Sequence, residues 1–83
     1  MNKKLTIHNL KIQSEYYDDV ITGVKRFELR KDDRGFKVGD LIVFLEYKKD
    51  VFTGRVSEAM PILYKLKDCP EYGLKDGFCI LGL

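Results

Sequence analysis

The apolar pattern of this chain changes period once, and that change limits the folds open to it. Between Ser14 and Gly23 the apolar residues recur at helical spacing, Tyr16 with Val20 and Tyr17 with Ile21. From Phe27 onward the period is two: Arg26, Glu28 and Arg30 alternate with Phe27 and Leu29, so the strand has one polar and one apolar face. Leu41 to Leu45 is apolar on both parities until Glu46, the pattern of a central strand covered on both sides. One helix followed by strands with short connections predicts an α+β, mainly β fold. The expectation is a small, mostly antiparallel pseudo-β-barrel of five or six strands, with one main helix after the first strand.

The remaining elements fit around that frame. Leu5 to Ile12 reads as a strand whose apolar phase slips, Leu5 and Ile7 on one parity and Leu10 and Ile12 on the other, which predicts a bulge near His8-Asn9. Ser14 is placed to cap the helix, with Glu15, Asp18 and Asp19 in its early turns and Gly23 as its stop. Lys31 to Gly39 is a charged loop, and Val38-Gly39-Asp40 turns into the strand Leu41 to Tyr47. Lys48-Lys49-Asp50 makes a tight connection to a long interrupted strand, Phe52 to Leu66, in which Pro61 must lie at an edge or a break. Cys69 to Gly77 is a loop or single helical turn before a last buried strand, Phe78 to Leu81.

Eighty-three residues make one domain, with a core too small for an elaborate buried active site. At 45% apolar and 34% charged residues the balance is that of an ordinary globular chain. Met1-Asn2-Lys3-Lys4 is basic, but no continuous apolar stretch follows as a signal peptide requires, and no run approaches the ~20 residues that span a bilayer. A cytoplasmic location without membrane contact is therefore expected. Cys69 and Cys79 lack the spacing of a zinc or redox motif and read as reduced thiols.

Charge is concentrated in residues 23 to 40. Lys25, Arg26, Arg30, Lys31, Arg34 and Lys37 stand against Glu28, Asp32, Asp33 and Asp40; six bases less four acids is +2, the net charge of the whole chain. Phe27, Leu29, Phe36 and Val38 lie between them as anchors that a disordered charged tail would lack. An ordered surface with fixed cations suits an anionic, stackable ligand such as nucleic acid. With Arg26, Glu28 and Arg30 on one face, the carboxylate would stand between two guanidiniums and orient both. The competing reading is an ion-pair ladder, which contributes little on an exposed face. Lys25 and Glu28, three apart, converge only if Lys25 still belongs to the turn after Gly23 or the chain bends between them.

The other candidates carry paired readings. His8 reads as a strand histidine satisfied by its neighbours, since no nucleophile is evidently paired with it. Tyr17 and Phe27 read as core. Phe36 and Tyr47 are the candidates for base stacking, with core packing as the competing role for each. Thr53-Gly54-Arg55 either brings a hydroxyl, an open backbone and a guanidinium to a cleft, or makes a turn with one exposed arginine. Asp32 and Asp33 cap the charged loop rather than bind metal. There is no P-loop, no dinucleotide fingerprint and no metal-ligand cluster, so neither cofactor nor metal is expected.

His8-Asn9-Leu10-Lys11-Ile12, the helix ending at Gly23, the run Lys25 to Arg34, Val38-Gly39-Asp40, Glu46-Tyr47 and Thr53-Gly54-Arg55 together resemble the small DUF3850 family. That family is placed in the ASCH-type branch of PUA-like domains. The Gly-x-Lys-x-x-Glu-x-Arg core at Gly23, Lys25, Glu28 and Arg30 is the specific part of the likeness. The resemblance implies a PUA-like pseudo-barrel with a cleft proposed to bind RNA. Some ASCH proteins resemble amidohydrolases that remove an acyl group from modified cytidine with a Lys, a Thr and a Glu. Lys25 stands in the Lys position, but the Thr three residues later is Glu28 here, a departure from that chemistry.

The reading is an RNA- or nucleotide-binding module whose cleft is lined by Lys25, Glu28 and Arg30, with Lys31, Arg34 and Arg55 in support. A hydrolase on a modified nucleoside, using Lys25 with Glu28 or Glu46, is the rival. A protein-interaction module using the charged loop is a third class. Oligomeric state is open.

Overall fold

The computed structural model describes residues 5–83; the basic stretch at residues 1–4 lies outside them. The elements run β1 (Ile7–Gln13), α1 (Ser14–Ile21), β2 (Phe27–Lys31), β3 (Leu41–Lys48), β4 (Val51–Val56), β5 (Met60–Pro61), β6 (Tyr64–Leu66) and β7 (Phe78–Gly82), with a 3-10 turn at Pro70–Tyr72 before the last strand. The strands form two sheets. One has the order β1-β3-β4, with β5 also on β3; the other has the order β2-β7-β6. β1 and β3 are parallel, and every other pair is antiparallel.

The expected barrel of five or six strands is thus corrected to seven strands in two sheets, and no closed barrel forms among the described residues. Two causes are visible. The stretch from Phe52 to Leu66 is not one strand. Ser57 turns it by accepting the Phe44 N–H on Oγ at 2.8 Å and donating its own N–H to the Phe44 carbonyl at 2.9 Å. Ile62 then drops into the core, which leaves Pro61 in the two-residue β5 and passes the chain to the other sheet. The second cause is that β1 and β2, each at the end of its sheet, do not pair.

β1 runs without a bulge, in continuous register from Ile7 opposite Leu41 to Gln13 opposite Tyr47. The apparent phase slip arises because a histidine occupies an inward position. His8, Leu10 and Ile12 face the core, and Leu5 and Ile7 are exposed. His8 is accommodated there because its Nε2 lies 2.9 Å from the Asp40 carboxylate and its ring packs 4.7 Å from that of Phe36.

The helix buries Tyr17 and Val20, whereas Tyr16 and Ile21 are exposed, so its inward pair is spaced three apart rather than four. Ser14 is the first helical residue and not the cap; its hydroxyl donates to Glu46 at 2.9 Å. Gly23 does end the helix, at a φ of +79° that an L side chain rarely adopts. β3 is central, as expected, but only one of its faces is covered. Ile42, Phe44 and Glu46 are buried, while Leu41, Val43, Leu45 and Tyr47 are half-buried on the open face. The core joins Leu10, Ile12, Ile42 and Phe44 of the first sheet, Tyr17 and Val20 of the helix, and Cys79 and Leu81 of the second sheet. Phe36 and Ile62 fill it from the connections. Both cysteines are buried and free.

The second sheet reverses the polarity read from the sequence. Glu28 is buried at 6% exposure, and Phe27 and Leu29 are exposed. Of the four anchors in the charged run, Phe36 alone reaches the core, since Val38 is exposed as well. The tie that would have been apolar is ionic instead: Glu28, Arg30 and Lys65 occupy the inward parity of β2 and β6.

Candidate functional site

Where the barrel fails to close, a cleft of about 450 Å³ opens between the edges of β1 and β2. It is lined by Lys11, Ile12, Gln13, Tyr16, Lys25, Phe27, Glu28, Leu29 and Arg30. That size is within the range of small-ligand sites. Three polar side chains organise it. The Glu28 carboxylate accepts from Lys25 Nζ at 3.1 Å through Oε1 and from Arg30 Nε at 3.1 Å through Oε2. Lys25 also donates to the Phe27 carbonyl at 2.7 Å, and Arg30 Nη2 to the Lys11 carbonyl at 2.6 Å. Each cation is therefore held at two points and keeps further N–H donors for a ligand.

The convergence of Lys25 and Glu28 has the cause anticipated for it. Lys25 precedes β2 in the turn that Gly23 begins, and its N–H donates to Asp19 O at 2.8 Å, so its side chain is not bound by strand parity. The partnership differs in one member. Arg26 donates to the Gly23 carbonyl at 3.0 Å and stays exposed, so Glu28 stands between a lysine and one arginine rather than between two guanidiniums.

Arg30 and Arg34 do for the β1 edge what a paired strand would have done. Arg30 takes the Lys11 carbonyl and Arg34 Nη1 the Asn9 carbonyl, at 2.6 and 2.9 Å. Alternate residues of one strand are about 7 Å apart, so the two guanidiniums sit side by side along that edge. The aromatic walls are Phe27 and Tyr16, over whose ring centroids Lys25 Nζ lies at 4.6 and 5.7 Å. Neither was a stacking candidate on sequence. The signal available was weak: Phe27 follows the Gly-x-Lys turn directly, and Tyr16 lies beside the core-facing Tyr17 on a short helix.

The family model described as domain of unknown function (DUF3850) matches residues 7–83. The chain belongs to the DUF3850 family. Its Gly23, Lys25, Glu28 and Arg30 fall inside the matched region, and three of those four line the cleft. A relative, the "Uncharacterized 12.9 kDa protein in GpA 3'region" of Escherichia phage P2, is 45% identical over 53 residues, 64% of this chain and 49% of the relative. The chain thus spans about half the length of that curated relative.

The other candidates of this DUF3850 chain lie elsewhere. Lys31 shares the outward parity of Phe27 and Leu29 and does not line the cleft, although it borders a second depression together with Arg30 and Arg34. Phe36 is buried against His8 and offers no face to a ligand. Tyr47 sits on the open face of the first sheet, with Lys11 Nζ 4.7 Å over its ring and the Phe52 ring at 5.7 Å. Arg55, Glu46 and Thr53 form a separate cluster at the helix. There Glu46 accepts from Thr53 Oγ1 at 2.6 Å, Ser14 Oγ at 2.9 Å and Arg55 Nε at 3.0 Å. Arg55 also reaches Asp18 at 2.6 Å and stacks 4.3 Å over Tyr17. The Thr53 hydroxyl bond, with those of Ser14 and the nearby Arg55 charge, holds the Glu46 carboxyl below its ordinary range. With every partner internal, this cluster fastens β4 to the helix.

Asp32 is engaged by Lys65 at 2.9 Å, and Lys65 also donates to the Phe36 carbonyl at 2.8 Å, which closes the charged loop against β6. Among the described residues no group of three or more His, Cys, Asp or Glu is placed to hold a metal ion. No helix among them is long and apolar enough to cross a membrane.

Proposed function

We propose that this DUF3850 domain is a PUA-like, cytoplasmic module that binds RNA or a nucleotide-like ligand in the cleft between β1 and β2. The supporting observation is the buried Glu28, which holds Lys25 and Arg30 side by side at the mouth of a cleft walled by Phe27 and Tyr16. Arg34 extends the cationic row along the β1 edge. The cations would meet successive phosphates and an aromatic ring would take the face of a base. The role of Glu28 is positional, because both of its oxygens are committed to the cations.

A nucleoside hydrolase finds less support. It would need a hydroxyl beside Lys25, and the Thr53 hydroxyl donates to Glu46 in the other cluster. Glu46, the second candidate acid, is enclosed by Ser14, Thr53 and Arg55.

Fluorescence anisotropy of labelled single-stranded RNA over a salt series tests the proposal. Engagement of Lys25, Arg30 and Arg34 gives a log–log salt slope of about −2, at roughly −0.7 per contact. Arg30→Ala lowers the slope by about 0.7, and Arg55→Ala leaves it alone. No binding to single-stranded or hairpin pools at low salt, or a slope insensitive to Lys25→Ala and Arg30→Ala, would overturn the binding reading. Release of cytidine from acetylated cytidine, abolished by Lys25→Ala, would establish the hydrolase instead.

A further inference from the structure

The outward face of the second sheet carries two uncharged cross-strand rows. Register sets Phe27, Gly82 and Tyr64 in one and Leu29, Ile80 and Leu66 in the next. Phe27 is 51%, Leu29 55%, Tyr64 64% and Leu66 38% exposed, and Ile80 and Gly82 are half-buried. Of the charges on the same strands, Glu28, Arg30 and Lys65 turn inward, where Glu28 holds Lys25 and Arg30 and Lys65 reaches Asp32. Lys31 stands outward one row beyond Leu29, opposite Phe78. A sheet facing water ordinarily has the opposite polarity. Large contiguous apolar faces on soluble chains mark contact surfaces.

We infer that this face is covered by the same face of a second copy, giving a twofold dimer in which two such sheets pack as a sandwich. The shape of the rows carries the argument. Gly82 leaves a gap between Phe27 and Tyr64, while two residues away on β7 Ile80 stands as a ridge between Leu29 and Leu66. A twofold axis lying between the rows and parallel to them brings each row opposite the other row of the second copy. Ile80 of each copy then enters the gap at the partner's Gly82, the reciprocal contact of an isologous interface. Glycine is required at this point of the row, because a Cβ at Gly82 would stand 3.1 Å from the Tyr64 Cβ, so backbone alone lies between Phe27 and Tyr64.

Charge and area agree with this. Neither row contains a charged residue, and Lys25, whose Nζ lies 4.6 Å over the Phe27 ring, keeps Glu28 as its partner at 3.1 Å, so the apposition leaves no unpaired charge in the dry centre. The exposed fractions amount to an apolar centre on the order of 500 Å² per copy, which a polar rim brings toward the roughly 800 Å² that stable pairs bury on each side. Phe27 is shared between this face and the cleft wall, so the pairing leaves Tyr16 as the ring that takes a base. The aliphatic row offers no stacking plane, which is why a second copy suits the whole face better than RNA.

Sedimentation of the purified chain over micromolar to several hundred micromolar concentrations tests the inference. The expected mass rises from 9.7 kDa to twice that value. Leu66→Glu and Ile80→Glu, neither of which lines the cleft, should each weaken association at least ~10-fold, and Leu66→Gln should weaken it less. Val56→Glu, on the open face of the other sheet, should leave it unchanged. Isotope-filtered NOEs on a mixed labelled and unlabelled sample should connect the Ile80 methyls of one copy to Gly82 of the other. Circular dichroism melts of the variants separate lost association from lost folding, and Leu66→Gln keeps the test open where Ile80→Glu unfolds the chain. A mass of 9.7 kDa at every concentration would overturn the inference. So would a dimer that survives both Glu substitutions or that only Val56→Glu dissolves. Loss of RNA affinity in Leu66→Glu without any change in mass would assign the face to RNA and overturn it too.

Discussion

Replacing Glu28 by Gln changes the charge of one buried side chain and almost nothing of its volume. The consequence is an amide whose N–H₂ must face one of two cations. Removing one partner of a fully buried ion pair costs about 3–5 kcal/mol. Here the cost is lower, because Lys25 and Arg30 are 17% and 24% exposed at the cleft mouth and are partly screened by water. Each also keeps a backbone acceptor, the Phe27 and Lys11 carbonyls at 2.7 and 2.6 Å. The expected loss is about 2 kcal/mol, which for a domain of this size lowers the melting temperature by roughly 10 °C. Urea denaturation should show a lower midpoint with an unchanged slope. Adding Lys25→Met to Glu28→Gln should recover part of the loss, since it removes the cation left without a counter-charge. A Glu28→Gln protein within ~0.5 kcal/mol of wild type, or a double variant less stable than the sum of the singles, would refute the claim that Glu28 holds this site together.

Two further outcomes follow from other parts of the molecule. The His8 hydrogen bond holds the Asp40 carboxyl below its ordinary 3.8, and the Thr53 hydroxyl does the same for Glu46 against its ordinary 4.5. In that range the folded state binds fewer protons than the unfolded one, so stability rises with pH: the contribution is complete above these ordinary values and is lost as pH falls through the depressed ones. Urea midpoints measured downward from pH 6 should fall steeply below about 4.5, and Asp40→Asn or Glu46→Gln should each flatten that fall. At the β3–β4 turn, Lys49 and Asp50 hold φ of 49° and 62°, a two-residue hairpin loop that favours glycine at its second position. Asp50→Gly should raise unfolding stability by about 0.5–1 kcal/mol in the same denaturation experiment, and a decrease would contradict the turn assignment.

Local chemistry made much of this protein legible from its residues alone. The helix stop at Gly23, the central place of Leu41 to Leu45, the break at Pro61 and the last strand follow from backbone preferences and apolar period, which act over a few residues. The Lys25–Glu28–Arg30 trio was also visible, because its members lie within one turn and one strand and their convergence needs only the bend after Gly23. Which face of β2 turns inward was not visible. An alternating strand is equally consistent with either choice until distant segments supply the answer, and here the Lys11 carbonyl of β1 across the gap, which accepts from Arg30, and Lys25 beside Glu28 make the charged face the inner one. The same dependence explains His8, whose inward place rests on Asp40, thirty-two residues away, and Arg55, which went to Tyr17, Asp18 and Glu46 instead of the cleft. Such choices compare the desolvation of a charge with the number of partners that distant segments bring to it. That comparison exists only once the chain is folded.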